Sequence, residues 1–340
     1  MNVKNTLRHP LFPVLLVGLI FLSIPVCVGI GSTFIAPMDT FSILLHKVFD
    51  FPLHRNTPTN MQAIVWELRL PRVLLACIAG AALAMSGLTL QCITRNALAD
   101  PHILGVTSGA VFGAVIVTLH TGEFLGSTTL PFIAFLGAFT AAIIILLLCQ
   151  SDRFKHAPQL LMCGVSLGFV FMALANFALY LGDIRATHQA IFWIFGGLGL
   201  ARWSYLWIPY FTVFICFIGL VKHSQAMNAL LLGDITASST GIPVKRVRLQ
   251  LFSISALLTA VTVSLTGAIG FIGLMIPHIA RIMVGGDHWR LNFTVPFFGA
   301  LFLLWLDALS RTLVTATEIP VGILSGFIGG LFFLILLLRH

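Results

Sequence analysis

Charge is what this sequence has least of. Only 9% of its 340 residues are Asp, Glu, Lys or Arg, while 58% are hydrophobic. Soluble domains carry about 25% charged residues, and the mean hydropathy here is +1.02. A water-soluble core cannot hide that much apolar side chain, so the solvent is lipid and the useful unit is the membrane span. Cysteine is also sparse. Cys27, Cys77, Cys92, Cys149, Cys163 and Cys216 all lie in or beside apolar tracts, and no CxxC pair occurs. They read as small buried hydrophobes, not as disulfides or metal ligands.

Catalytic signatures are missing as well. There is no GxxxxGK[ST] phosphate loop, no HExxH and no dinucleotide fingerprint. The histidines are dispersed, and none pairs at metal-ligand spacing on one helix. The chain is therefore not read as an enzyme, and it calls for no cofactor and no metal. The net charge of +8 can signal nucleic acid. Here the basic residues are scattered between apolar tracts and form no stripe, which excludes that partner.

What is present is a series of apolar tracts. A bilayer crossing needs about 20 residues. Ten tracts qualify, at 11–34, 64–91, 101–119, 129–149, 158–182, 203–221, 247–266, 269–285, 293–310 and 319–338. The predicted fold is thus all-α and polytopic, one transmembrane domain over 1–340. The first tract is longer than a signal-peptide core and is read as a span. The eighth is short and broken by Gly270, Gly273 and Pro277, so it is bent or only partly crossing. Ten spans put both termini on one side. With the termini inside, the inner segments carry twelve of the 19 Lys and Arg residues and the outer ones seven. That excess predicts cytoplasmic termini.

Two connections are long. The outer one, 35–63, carries an apolar run from Phe41 to Phe51 that predicts a surface helix. The inner one, 222–246, predicts one or two short helices with a turn. Gly80, Ala84, Gly87, Gly109, Gly322 and Gly326 stud the spans, and small residues let helices approach closely in lipid. Pro101-His102-Ile103 recurs as Pro277-His278-Ile279, an echo short enough for chance.

Acids at mid-span, the usual mark of a proton or sodium site, are also lacking. Asp307 is the deepest, near the outer end of its span, with Arg311 at the i,i+4 distance of a helical ion pair. The chain thus reads as a conduit without its own energy source, for which a partner must supply the power.

Several stretches then fall into one pattern: Arg69-Leu-Pro-Arg72, Gly80 to Gly87, Arg95-Asn-Ala-Leu-Ala-Asp-Pro101, Trp193 to Gly197, Leu232 to Gly241, Gly270 to Arg281, Asp307 to Arg311 and Glu318 to Gly322. Together they resemble the FecCD-like permeases, the membrane subunits of ABC importers for iron chelates, haem and cobalamin. The resemblance runs from about residue 60 to 338. It implies the type II importer architecture: a ten-span permease in a homodimer or a close heterodimer. Two cytoplasmic P-loop ATPases would sit beneath it and a periplasmic substrate-binding protein on top, in a bacterial inner membrane. It also implies roles. Asn96 and Leu98 would form the cytoplasmic gate. Arg69, Arg72 and Arg311 would meet acidic knobs of the binding protein. Leu232, Gly233, Asp234, Ala237 and Gly241 would belong to the coupling helices that seat in the ATPase.

The chain departs from the family at Ala97, where a proline is usual, and after Gly330, where another is. The residues His156-Ala157-Pro158 lack the small hydroxyl pair associated with a cobalamin passage. The implied cargo is a metal chelate: ferric siderophore first, then haem, then cobalamin, with a metal oxyanion possible. The rival reading is a carrier or channel driven by an ion gradient.

Overall fold

The computed structural model describes residues 12–31, 33–53, 57–150, 157–314 and 317–338, and among them every regular element is helical. The long helices are α1 (Phe12–Gly29), α4 (Leu70–Thr94), α6 (Thr129–Gln150), α7 (Ala157–Tyr180), α9 (Trp203–Lys222), α12 (Val244–Thr266), α14 (His288–Ser310) and α15 (Val321–Leu338). Those eight segments are long and apolar enough to cross a membrane. Two shorter apolar helices, α5 (Val106–Ile116) and α13 (Ile272–Val284), complete the predicted ten. Between them lie α2 (Pro37–Phe49), α3 (Thr59–Ala63), α8 (Ile184–Ile194), α10 (Ser224–Leu231) and α11 (Asp234–Ser239). Of the residues behind the charge count, Lys4, Arg8, Arg55, Arg153, Lys155 and Arg339 lie outside the described residues.

Helix α4 is the axis of the bundle. A π-helical turn, Ile64–Arg69, joins α3 to it without a break, and nearly every residue from Leu70 to Thr94 is buried. Lipid offers no hydrophobic drive between helices, so close packing must supply the adhesion. Two glycines show how close. A Cβ on Gly80 would lie 2.1 Å from the carbonyl oxygen of Gly299 in α14, and one on Gly87 would lie 2.0 Å from that of Gly273 in α13. A leucine at position 80 cannot fit at that crossing, because backbone atoms cannot yield as a side-chain tip can. Gly80→Leu should therefore leave little monodisperse protein on size exclusion in detergent, whereas Gly326→Leu, with open space around it, should elute normally. Hydroxyls add a polar clasp: Ser86 Oγ lies 2.7 Å from Ser255 Oγ and 2.8 Å from Thr259 Oγ1, all buried.

The eighth tract holds only a 13-residue helix. Its helix begins at the depth of Gly87, well along α4 from Leu70, because the backbone reverses at Gly267 and at Phe271, both at positive φ. Thirteen residues at 1.5 Å each give about 20 Å, short of a 30 Å hydrocarbon core. The protein around the break supplies what lipid cannot. Gln91 Nε2 donates to the Gly273 carbonyl at 3.0 Å, and Pro101 packs against Gly273. The two breaks that share Pro-His-Ile therefore touch each other.

The predicted surface helix is α2. It starts at Pro37 rather than Phe41, with proline as its first residue, a position where the missing N–H costs nothing.

Candidate functional site: two polar clusters at opposite ends of the central helix

At the predicted outer end, two arginines share one acid. Asp307 is fully buried near the end of α14. Its Oδ1 accepts from Arg72 Nε at 2.9 Å, and its Oδ2 lies 3.1 Å from Arg311 Nε. Arg72 also donates to Glu318 Oε2 at 2.7 Å, and Glu318 is largely exposed. The helical pair of Asp307 and Arg311 is as the spacing predicted. The link to Arg72, 235 residues away, joins the two arginine motifs and was not visible in the sequence.

Arg69 and Arg311 have a second task. A helix end leaves its last four carbonyls without intrahelical partners, and at a membrane depth each costs several kcal/mol if unmet. Arg311 donates to the carbonyls of Cys27 and Ile30. Arg69 donates to those of Val28 at 3.2 Å and Gly29 at 3.1 Å, and to Thr33 O at 2.6 Å. Two guanidinium forks thus cap the C-terminal end of α1, where a cation also suits the helix dipole. Both side chains are buried. Of the three arginines expected at a docking surface, Arg72 is the one whose ion pair reaches the exposed rim, through Glu318.

At the predicted inner end, α4 stops at Arg95, which takes a left-handed conformation (φ 51°). The chain folds back through a compact loop. Asn96 N–H donates to the Gln91 carbonyl at 3.2 Å, Asn96 Oδ1 accepts the Leu98 N–H at 2.9 Å, and Ala99 N–H returns to the Asn96 carbonyl at 3.1 Å. Leu98 is 59% exposed, an apolar side chain in open space. Asp100 caps the short 3-10 turn Pro101–Leu104 by accepting the His102 N–H at 2.8 Å, as expected for a residue before a first-turn proline. Burial pushes its carboxyl above the ordinary range, with His102 pulling the other way.

The inner connection forms two short helices, α10 and α11, separated by Leu232 and Gly233. Gly233 sits at φ 109° and Gly241 at φ 83°, conformations that side chains rarely adopt. Ala237 is buried against the body of the protein. Leu232 is 72% exposed and Ile235 86% exposed, so a small apolar knob projects from the turn. Ile235 escaped the sequence reading. Asp234 Oδ1 lies 2.8 Å from Arg248 Nη2 and 3.2 Å from Arg95 Nη2. The coupling segment and the gate loop, 139 residues apart in sequence by their numbers Arg95 and Asp234, therefore share one carboxylate oxygen.

This sequence matches the FecCD transport family over residues 15–339. The chain belongs to the FecCD transport family. It is 39% identical over 293 residues to the hemin transport system permease protein HmuU of Yersinia pestis, covering 84% of this chain and 86% of that one. It is 36% identical over 279 residues to the vitamin B12 import system permease protein BtuC of Klebsiella pneumoniae, covering 82% and 83%. Among solved structures, it is similar to an inward-facing ABC transporter assigned to the metal-chelate type, with a TM-score of 0.84, 29% identity, and coverage of 98% of this chain and 100% of that one. This FecCD member is thus a multi-pass permease subunit of ABC importer type, with the all-α architecture that the sequence predicted.

Proposed function

We propose that the chain is the transmembrane subunit of an ATP-driven importer that carries a metal chelate across a bacterial inner membrane. A ferric siderophore is placed first, with haem and cobalamin as the alternatives that the relatives' own cargoes bring forward. The observation that carries this reading is the likeness over almost the whole length, in both sequence and fold. In this proposal the single domain 1–340 forms a homodimer, with both termini cytoplasmic. Two P-loop ATPases bind beneath it, and a periplasmic binding protein delivers cargo from above.

The site residues take their parts accordingly. Asn96 and Leu98 close the passage at the inner face. Leu232, Gly233, Asp234, Ala237 and Gly241 present the coupling knob to the ATPase: the glycines permit its turns, and Ala237 holds it to the bundle. Arg72 captures an acidic knob of the binding protein by exchanging it for Glu318. Arg69 and Arg311 keep the surface behind it rigid through the end of α1. A planar fork that already holds one carboxylate can accept another in the same geometry.

The deciding experiment reconstitutes the chain in proteoliposomes with its ATPase and binding protein. Uptake is measured for a ferric siderophore, hemin and vitamin B12. ATP-dependent uptake of one of them is expected, and Arg72→Glu should abolish stimulation of hydrolysis by the binding protein. Uphill uptake by the purified chain alone, under an ion gradient and without any ATPase, would sink the reading in favour of a secondary carrier.

A further inference from the structure

We infer that Arg95 is the positioning residue that ties the gate to the coupling segment, and that Asp234 is the carboxylate through which it does so. The inference rests on the permease reading above and adds the physical link between its two moving parts.

Three features of the inner cluster carry it. First, the loop after α4 is a unit. Its hydrogen bonds close on themselves, from Asn96 to Gln91, from Leu98 to the Asn96 side chain, and from Ala99 to Asn96. A pull on Arg95 therefore displaces Asn96 and Leu98 together instead of unravelling the turn. Second, Asp234 is the first residue of α11 and follows Gly233, whose φ of 109° sets α11 off from α10. Movement of α11 carries the carboxylate with it. Third, one oxygen of Asp234 serves two cations on different elements: Arg248 on α12 at 2.8 Å and Arg95 on the gate loop at 3.2 Å. Arg248 is the more buried of the two arginines, at 10% side-chain exposure against 38% for Arg95. The longer, wetter contact is the one that yields first when α11 shifts.

The arrangement makes the gate loop answer to α11 by charge. In the state described here, Asp234 holds Arg95 and the loop is drawn toward the coupling segment. A rigid-body shift of α11 moves the carboxylate relative to Arg95, and the loop either follows or is released. The two elements are bistable because the contact is made or broken, not stretched. A half-exposed ion pair contributes little to stability, so its value lies in linkage and not in holding the fold.

The test uses the complete importer in proteoliposomes and reads cargo taken up per ATP hydrolysed. Arg95→Gln is expected to leave ATPase copurification and hydrolysis within about twofold of wild type while uptake per ATP falls about tenfold. Arg95→Lys should recover most of that loss. Because Arg95→Gln and Asp234→Asn break the same contact, the two combined should lose no more uptake per ATP than Asp234→Asn alone. The inference is overturned if Arg95→Gln leaves uptake per ATP unchanged. It is equally overturned if hydrolysis and uptake fall in proportion, or if the losses from Arg95→Gln and Asp234→Asn add in full. Absence of ATP-dependent uptake by the wild-type complex is a different result, and it refutes the permease reading itself.

Discussion

Asp307→Ala should lower the thermal midpoint of the purified protein by roughly 10 °C, the consequence of losing about 3–5 kcal/mol. The reason is the company this carboxylate keeps. It is fully buried, and it neutralises Arg72 and Arg311 at 2.9 and 3.1 Å. Removing it leaves two guanidiniums facing each other with no anion between them. Arg311 is also committed to the last carbonyls of α1, so repulsion is transmitted to the end of the first span. Glu318 provides the internal comparison. It pairs with the same Arg72 at 2.7 Å but is mostly exposed, and exposed pairs contribute about 0–1 kcal/mol. Glu318→Gln should thus shift the midpoint very little. Scanning fluorimetry of the two variants in one detergent checks the contrast, and equal midpoints would show that the buried triad is not structural.

The second large effect is on assembly. Leu232→Glu combined with Ile235→Glu should reduce copurified ATPase by about a hundredfold, since it places two charges where a groove must close over apolar side chains. Both residues are largely exposed, so the permease should fold and elute as before. That distinguishes this variant from Ala237→Trp, which would strike the buried contact holding α11 to the bundle and disturb the permease itself. Undiminished recovery of ATPase with the double glutamate would show that the knob between α10 and α11 is not the seat of the partner.

The sequence was most legible where lipid imposes the rule. Ten apolar tracts became eight spanning helices and two short ones because buried backbone in hydrocarbon has no other way to satisfy itself. The short eighth helix was visible in Gly270, Gly273 and Pro277, and the helical pair in the four-residue step from Asp307 to Arg311. The arginines were less legible. Arg69 and Arg311 look alike as outward cations in a linear reading, yet both turn inward to cap α1. A residue pattern cannot reveal that, because the carbonyls they cap belong to residues 27–33, some 40 and 280 positions away.

The sequence by itself determined the solvent, the class and the family, since low charge, apolar length and motif order are all properties of a linear string. Only the tertiary structure decided which charges meet: Arg72 with Asp307, and Arg95 with Asp234. Electrostatic partnership depends on distance in space, and chain separation carries no information about that until the helices are packed.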